Sequence, residues 1–248
     1  MKIGVFDSGI GGLSVLKSLL NSNLFSEIIY YGDTARVPYG NKDKDTIIRF
    51  SLEAIDFFNK FDIDMLVVAC NTVSAYGLVK MQEIASYDIV GVIEPGVILA
   101  KNNIANLDSS ILIIATKATI DSNLYASKLN KLGYKNIISI QTGLFVPLVE
   151  EGIFSGELLE CAFKYYFKDI EIPDAIILGC THFPLIQNEI KHYFNNKPIL
   201  IHSGEAIVRY LFDKYKLNQN NKSTTKVSYY VSGSKEILDS CVKIWLNS

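Results

Sequence analysis

Met65-Leu66-Val67-Val68-Ala69-Cys70-Asn71-Thr72 is a short apolar run that ends on a thiol and two small polar residues. It is too brief for a helix and apolar at consecutive positions, which predicts a strand buried on both faces. Ala175-Ile176-Ile177-Leu178-Gly179-Cys180-Thr181-His182 repeats the pattern, with its cysteine 110 positions further on. Comparable pairs lie on either side. Strand-like runs begin near 2, 28, 65 and 89, and again near 111, 137, 175 and 199, at offsets of 109, 109, 110 and 110. Pro38, in the loop after the second run, has a counterpart in Pro147. One shared offset at four places predicts a duplicated α/β unit: two pseudo-symmetric lobes, each a mostly parallel sheet flanked by helices. Ligands of such sheets gather at the carboxyl ends of the strands. Asp7, Cys70, Thr116 and Cys180 all fall at such ends, which puts an active site between the lobes.

The segments between the strands read as loops and helices. Lys2-Ile3-Gly4-Val5-Phe6 is a buried strand, followed by Asp7-Ser8-Gly9-Ile10-Gly11-Gly12 and by Leu13, Leu16, Leu19 and Leu20 at helical spacing. Ser14 stands where a dinucleotide fingerprint wants glycine, and no Gly-Lys-Ser/Thr occurs, so neither nucleotide loop is predicted. The glycines are expected to let backbone N–H groups approach a small anion at a helix N-terminus. Residues 43–60 carry a helical pattern, and residues 73–85 another, interrupted by Gly77. Ile89-Val90-Gly91-Val92-Ile93 reads as a strand ended by Glu94-Pro95. From Gly204 onward there are two helical patterns around a strand at Val227-Ser228-Tyr229-Tyr230-Val231, with the polar linker 218–225 between them. This tail has no partner in the duplication and is expected to pack back on one of the sheets.

Composition narrows the function classes. The chain has 248 residues, of which 49% are hydrophobic and 20% charged, proportions of a globular enzyme rather than a disordered segment. A net charge of −2 gives no overall pull toward nucleic acid or an anionic membrane. A strand starting at Lys2 predicts no signal peptide, and no apolar run approaches the roughly 20 residues of a membrane span. The expectation is a cytoplasmic protein. Its four cysteines, at 70, 161, 180 and 241, are then expected to be thiols. Cys161 and Cys241 sit in helical patterns and read as core filler. Cys70, Cys180 and His182 lack a fourth ligand at the tight spacing of a structural zinc site, so no metal is expected.

Each of the other two cysteines lies where a strand gives way to a helix, a place expected to lower a thiol pKa from about 8.5. Two lobes facing each other would put these thiols on opposite sides of one small molecule. Inverting a stereocentre needs that arrangement, one group removing a proton from one face while another delivers a proton to the other. Asp7 is a candidate functional carboxylate, or else a helix cap. Two other classes fit parts of the pattern. A single-thiol decarboxylase or isomerase would leave one cysteine dispensable, and a binding module would close on an amino acid without chemistry. Lys117 follows a strand, but nothing around it suggests a pyridoxal-phosphate site.

Asp7-Ser8-Gly9-Ile10-Gly11-Gly12-Leu13, Pro38-Tyr39-Gly40, Ala69-Cys70-Asn71-Thr72 and Gly179-Cys180-Thr181-His182-Phe183-Pro184 resemble the signature blocks of the glutamate racemases, in the aspartate/glutamate racemase superfamily. The resemblance spans nearly the whole chain. Val73 and Phe183 depart from it, standing where other members often have alanine and tyrosine. It implies a cofactor-independent interconversion of L- and D-glutamate that supplies D-glutamate for peptidoglycan. Cys70 would act on the D-enantiomer with the help of Asp7, and Cys180 on the L-enantiomer with the help of His182 and Glu150. Glu151 beside Glu150 is the alternative for that last role. Asp7, Ser8, Tyr39, Gly40, Asn71, Thr72, Thr181 and His182 would hold the substrate. The resemblance further implies a homodimer and two lobes, 1–93 plus 208–248 and 94–207, with the tail joining the first.

Overall fold

The computed structural model describes residues 1–217 and 225–246. Its strands are β1 (Lys2–Asp7), β2 (Glu27–Gly32), β3 (Met65–Val68), β4 (Asp88–Gly91), β5 (Ser110–Ala115), β6 (Asn136–Gln141), β7 (Ala175–Gly179), β8 (Ile199–His202) and β9 (Lys226–Val231). They form a five-stranded sheet in the order β4-β3-β1-β2-β9 and a four-stranded sheet in the order β6-β5-β7-β8. Every pairing is parallel. Taken from β8 to β6, the second sheet has the order of the first from β4 to β2, so the duplication seen as an offset is also a repeated topology.

The apolar runs are continuous because both faces of each sheet are covered. Along β3, Met65 and Val67 face one cluster with helix Leu13–Asn21, while Leu66 and Val68 face another with helix Lys44–Phe58. Along β7, Ile176 and Leu178 join the cluster of Met65 and Val67, and Ala175 and Ile177 pack on the far side with helix Ile93–Asn103. One core is therefore shared between the two sheets. Each sheet also has its own outer core. Asp43 caps helix Lys44–Phe58 by accepting the Thr46 N–H at 2.9 Å.

Two expectations change. The fourth strand stops at Gly91, and Ile93-Glu94-Pro95 opens helix Ile93–Asn103 instead of ending a strand. Proline is accommodated there because a first-turn N–H has no partner within the helix. Cys161 is exposed: Leu159, Ala162, Phe163 and Phe167 form the buried face of helix Glu157–Phe167, and Cys161 projects from the other side. Cys241 is half-buried against the shared core.

The tail has a definite place. β9 extends the first sheet beside β2, and helix Lys235–Trp245 buries Leu238 and Trp245. Just past β9, Ser232 donates to Asp33 Oδ1 at 2.6 Å and accepts the Ala35 N–H at 3.0 Å, while the Gly233 N–H reaches Thr34 Oγ1 at 3.0 Å. The tail thus clamps the loop that follows β2. Of the polar linker 218–225, all but Thr225 lies outside the described residues.

Gly4 marks how closely helix Lys44–Phe58 sits on β1. A Cβ there would lie 2.7 Å from Phe58 Cε1 and 2.9 Å from Leu66 Cδ1. Gly4→Ala is expected to lower stability by about 1–3 kcal/mol through overpacking. Urea unfolding measures this, and an unchanged midpoint would show that the packing gives way freely.

Candidate active site

The carboxyl ends of β1, β3, β5 and β7 converge on one narrow cavity of about 30 Å³. It is bordered from the first sheet by Ser8, Val37, Pro38, Tyr39, Gly40, Cys70, Asn71 and Thr72, and from the second by Thr116, Val146, Gly179, Cys180, Thr181 and His182. Both thiols therefore face the same space, each only 6% exposed. Ser8, Tyr39, Gly40, Asn71, Thr72, Thr181 and His182, singled out in the sequence, all border it. Asp7 and Glu150 stand one layer behind.

Cys70 follows β3 in extended conformation and precedes the short helix Asn71–Tyr76. Its sulfur lies 3.2 Å from Ser8 Oγ. Burial pushes the thiol up to about 12, and the Asp7 carboxylate pushes the same way, against hydrogen bonds from Ser8 and the Val73 N–H. The expected lowering at a helix N-terminus does not hold for Cys70: desolvation outweighs the dipole of a six-residue helix. Asp7 is fully buried, which raises its pKa against the opposing influence of His182 and the Gly9 and Gly12 N–H groups. Its Oδ2 accepts the Gly9 N–H at 3.0 Å, and its Oδ1 the Thr181 hydroxyl at 3.4 Å.

Cys180 has different company. Its sulfur lies 3.6 Å from His182 Nδ1, and His182 Nε2 lies 3.1 Å from Glu150 Oε1. Burial works against a charged imidazole here, but the Cys180 and Glu150 contacts outweigh it and hold His182 up at about 10. Glu150 ends helix Phe145–Glu150 and makes this contact with its side chain 29% exposed; Glu151 is exposed as well. The sulfur, imidazole and carboxylate form a line along which a proton can shift. After Cys180 the 3-10 turn Phe183–Ile186 comes first and leads into helix Gln187–Tyr193, so the helix expected from the sequence starts further from the thiol.

The remaining polar groups are interlocked. Thr72 Oγ1 lies 3.0 Å from Thr116 Oγ1 and 3.2 Å from Thr119 Oγ1. Tyr39 donates its hydroxyl to Asp33, which also accepts from Arg36 Nε at 2.6 Å and from Ser232 in the tail. Thr116 and Val146 enter the site without having been named as substrate contacts. Thr116 carried a signal, its place at a strand's carboxyl end; Val146, on a buried helix face, carried none. The glycine loop after β1 also serves another purpose than anion binding. A Cβ on Gly11 would lie 2.6 Å from His182 Cε1, so the loop is bare because the Cys180 loop comes against it. Ser14 Oγ seals that contact by donating to the Thr181 carbonyl at 2.6 Å. Among the described residues, no helix is long and apolar enough to cross a membrane.

The chain is 56% identical to a glutamate racemase of Campylobacter jejuni over 247 residues, covering 100% of this chain and 98% of that protein. The crystal structure of glutamate racemase from Campylobacter jejuni superimposes with a TM-score of 0.98 at 55% identity, covering 100% of this chain and 98% of that one. Glutamate racemase from Francisella tularensis, solved in complex with D-glutamate, superimposes with a TM-score of 0.87 at 34% identity, covering 100% and 94%. Residues 10–211 match the Asp/Glu/Hydantoin racemase family, and with these relatives along its full length the chain belongs to that family.

Proposed function

We propose that the protein interconverts L- and D-glutamate by a two-base reaction needing no cofactor. The observation that supports this most is the pair of thiols on equivalent loops of two duplicated sheets, both bordering one cavity. From D-glutamate, the Cys70 thiolate takes the α-proton: an S–H bond forms, the Cα–H bond breaks, and the electron pair spreads into the α-carboxylate. The Cys180 thiol then delivers its proton to the opposite face of Cα, leaving a thiolate on Cys180. From L-glutamate the roles reverse. His182 and Glu150 serve Cys180, and Asp7 serves Cys70 by taking up the thiol proton as the thiolate forms. Ser8, Gly40, Asn71, Thr72, Thr181 and His182 hold the substrate, as does Tyr39 through its ring and backbone because its hydroxyl is engaged by Asp33. Glutamate is larger than a cavity of about 30 Å³, so the walls part on binding.

The lobes in this reading are 1–93 plus 208–248 and 94–207. The product D-glutamate supplies peptidoglycan synthesis in the cytoplasm, and the working form is a homodimer. A single-thiol enzyme and a non-catalytic binding module are the readings that experiment must separate from this one.

In heavy water, the pure protein without added cofactor should convert either enantiomer into the other with deuterium at Cα. Cys70→Ser and Cys180→Ser should each lower racemisation by about 10²–10⁴-fold, the usual range for a positioned acid or base. Full activity in one variant would leave a single-thiol mechanism, and glutamate binding without α-hydrogen exchange would leave a binding module. Titration of His182 by NMR tests its partner. Its folded pKa of about 10 exceeds the ordinary 6.5, so the stability it contributes is fully present below pH 6.5 and lost as pH rises through about 10. Glu150→Gln should move that titration downward; an unchanged titration would remove Glu150 from the relay.

A further inference from the structure

Asn71 stands between Cys70 and Thr72, borders the cavity and is only 3% exposed. A carboxamide has two N–H donors and an oxygen with two lone pairs, and unless something fixes it, it can turn over end for end. Here Tyr125 Oη donates to Asn71 Oδ1 at 2.8 Å, and Asn71 Nδ2 donates to Ser203 Oγ at 3.2 Å. One N–H and one lone pair of the amide remain uncommitted to these two partners. Asn71 follows β3 of the first sheet, whereas Tyr125 and Ser203 belong to helices Leu124–Lys131 and Ser203–Tyr215, which adjoin the second.

Tyr125 touches the other thiol loop as well. A Cβ on Gly96 would lie 3.1 Å from Tyr125 Cε1, and a Cβ on Gly179 would lie 3.5 Å from Tyr125 Cε2. Its ring is therefore held between helix Ile93–Asn103 and the residue that precedes Cys180. One buried phenol, 4% exposed, reaches the neighbour of Cys70 with its hydroxyl and the neighbour of Cys180 with its ring. Burial raises its pKa, so it remains an O–H donor across the working range.

We infer that Tyr125 is a positioning residue: together with Ser203 it holds the Asn71 carboxamide in one orientation, with an N–H presented to a glutamate carboxylate, and it ties the Cys70 loop to the Cys180 loop. This rests on the racemase reading above. Tyr125 acts through Asn71 and does not itself border the cavity.

Tyr125→Phe keeps the ring and removes the donor. KM for both enantiomers is expected to rise about ten-fold with kcat within about two-fold, as when a binding interaction is removed equally from ground and transition states. Ser203→Ala should shift KM in the same direction, and it carries the test if Tyr125→Phe does not melt as a folded protein. In an Asn71→Ala background, Tyr125→Phe should leave KM unchanged, a coupling that a merely structural role would not produce. Wild-type KM in Tyr125→Phe, or a full additive loss in the double variant, overturns the proposal. Calorimetric binding of D-glutamate separates it from the reading beneath. A wild type that binds without racemising overturns the racemase reading alone, and the dissociation constants of the variants then decide for Tyr125. A wild type that does neither overturns both.

Discussion

The absence of a side chain at Gly11 is the constraint on which the site depends. A Cβ there would fall 2.6 Å from His182 Cε1, inside any allowed contact, so the first lobe can meet the Cys180 loop only with bare backbone at this point. Once they meet, Ser14 reaches the Thr181 carbonyl and Thr181 reaches Asp7. Those contacts place the imidazole of the second lobe near the buried carboxylate of the first, close enough for His182 to lower the pKa of Asp7. The shared core behind them, from Leu13 and Leu16 to Leu178 and Phe183, makes the approach favourable by removing apolar surface of both lobes from water at once. Tyr125 joins the Cys180 loop to the Cys70 loop on another side.

The duplication makes the two half-sites alike in backbone and unlike in chemistry. Asp7 ends β1 and Thr116 follows β5, the equivalent inner strands of the two sheets, yet one is a carboxylate and the other a hydroxyl. Cys70 accordingly lies near an acid that opposes its ionisation, while Cys180 lies against an imidazole that can share its proton. In the proposed two-base reaction the thiols only exchange roles in each half-cycle; they need not be built the same way. The pseudo-symmetry brings both thiols to one cavity, and the local substitutions give each its own neighbours.

The strands, their order of duplication and most cavity residues are legible in the sequence because doubly covered parallel strands leave long apolar runs, and because strand ends are where such sheets bind ligands. What is not legible depends on contacts between distant segments. Cys161 can be placed on a helix but not on its outer face without knowing where the core lies. The clamp of Ser232 on Asp33 joins residues 199 positions apart, and no local pattern announces it. Tyr39 reads as a substrate contact because its motif does, while its hydroxyl partner, Asp33, becomes evident only in the fold. The glycines after β1 do make room for a close approach, but what approaches is the other lobe. The pKa of the Cys70 thiol runs opposite to the expected direction because dipole and desolvation oppose each other, and their balance depends on burial that a sequence does not state.

That balance bears on how the proposed reaction begins. A thiol held near 12 is neutral at ordinary pH, so Cys70 awaits its substrate as an acid rather than a base. The causes of the high value are burial and the charge of Asp7, and the arrival of positive charge opposes both without opening the site to water. Glutamate brings an ammonium group on the very carbon whose proton must leave. In the proposed reaction binding therefore favours the thiolate at the moment it is needed, the thiol proton passing to the buried Asp7 carboxylate as the S–H bond breaks, and a strongly basic thiolate is better suited to removing a carbon-bound proton than one made acidic in advance. The same burial that keeps the resting thiol unreactive makes its ionised form a stronger base, and the substrate's own charge favours the transfer that turns one into the other.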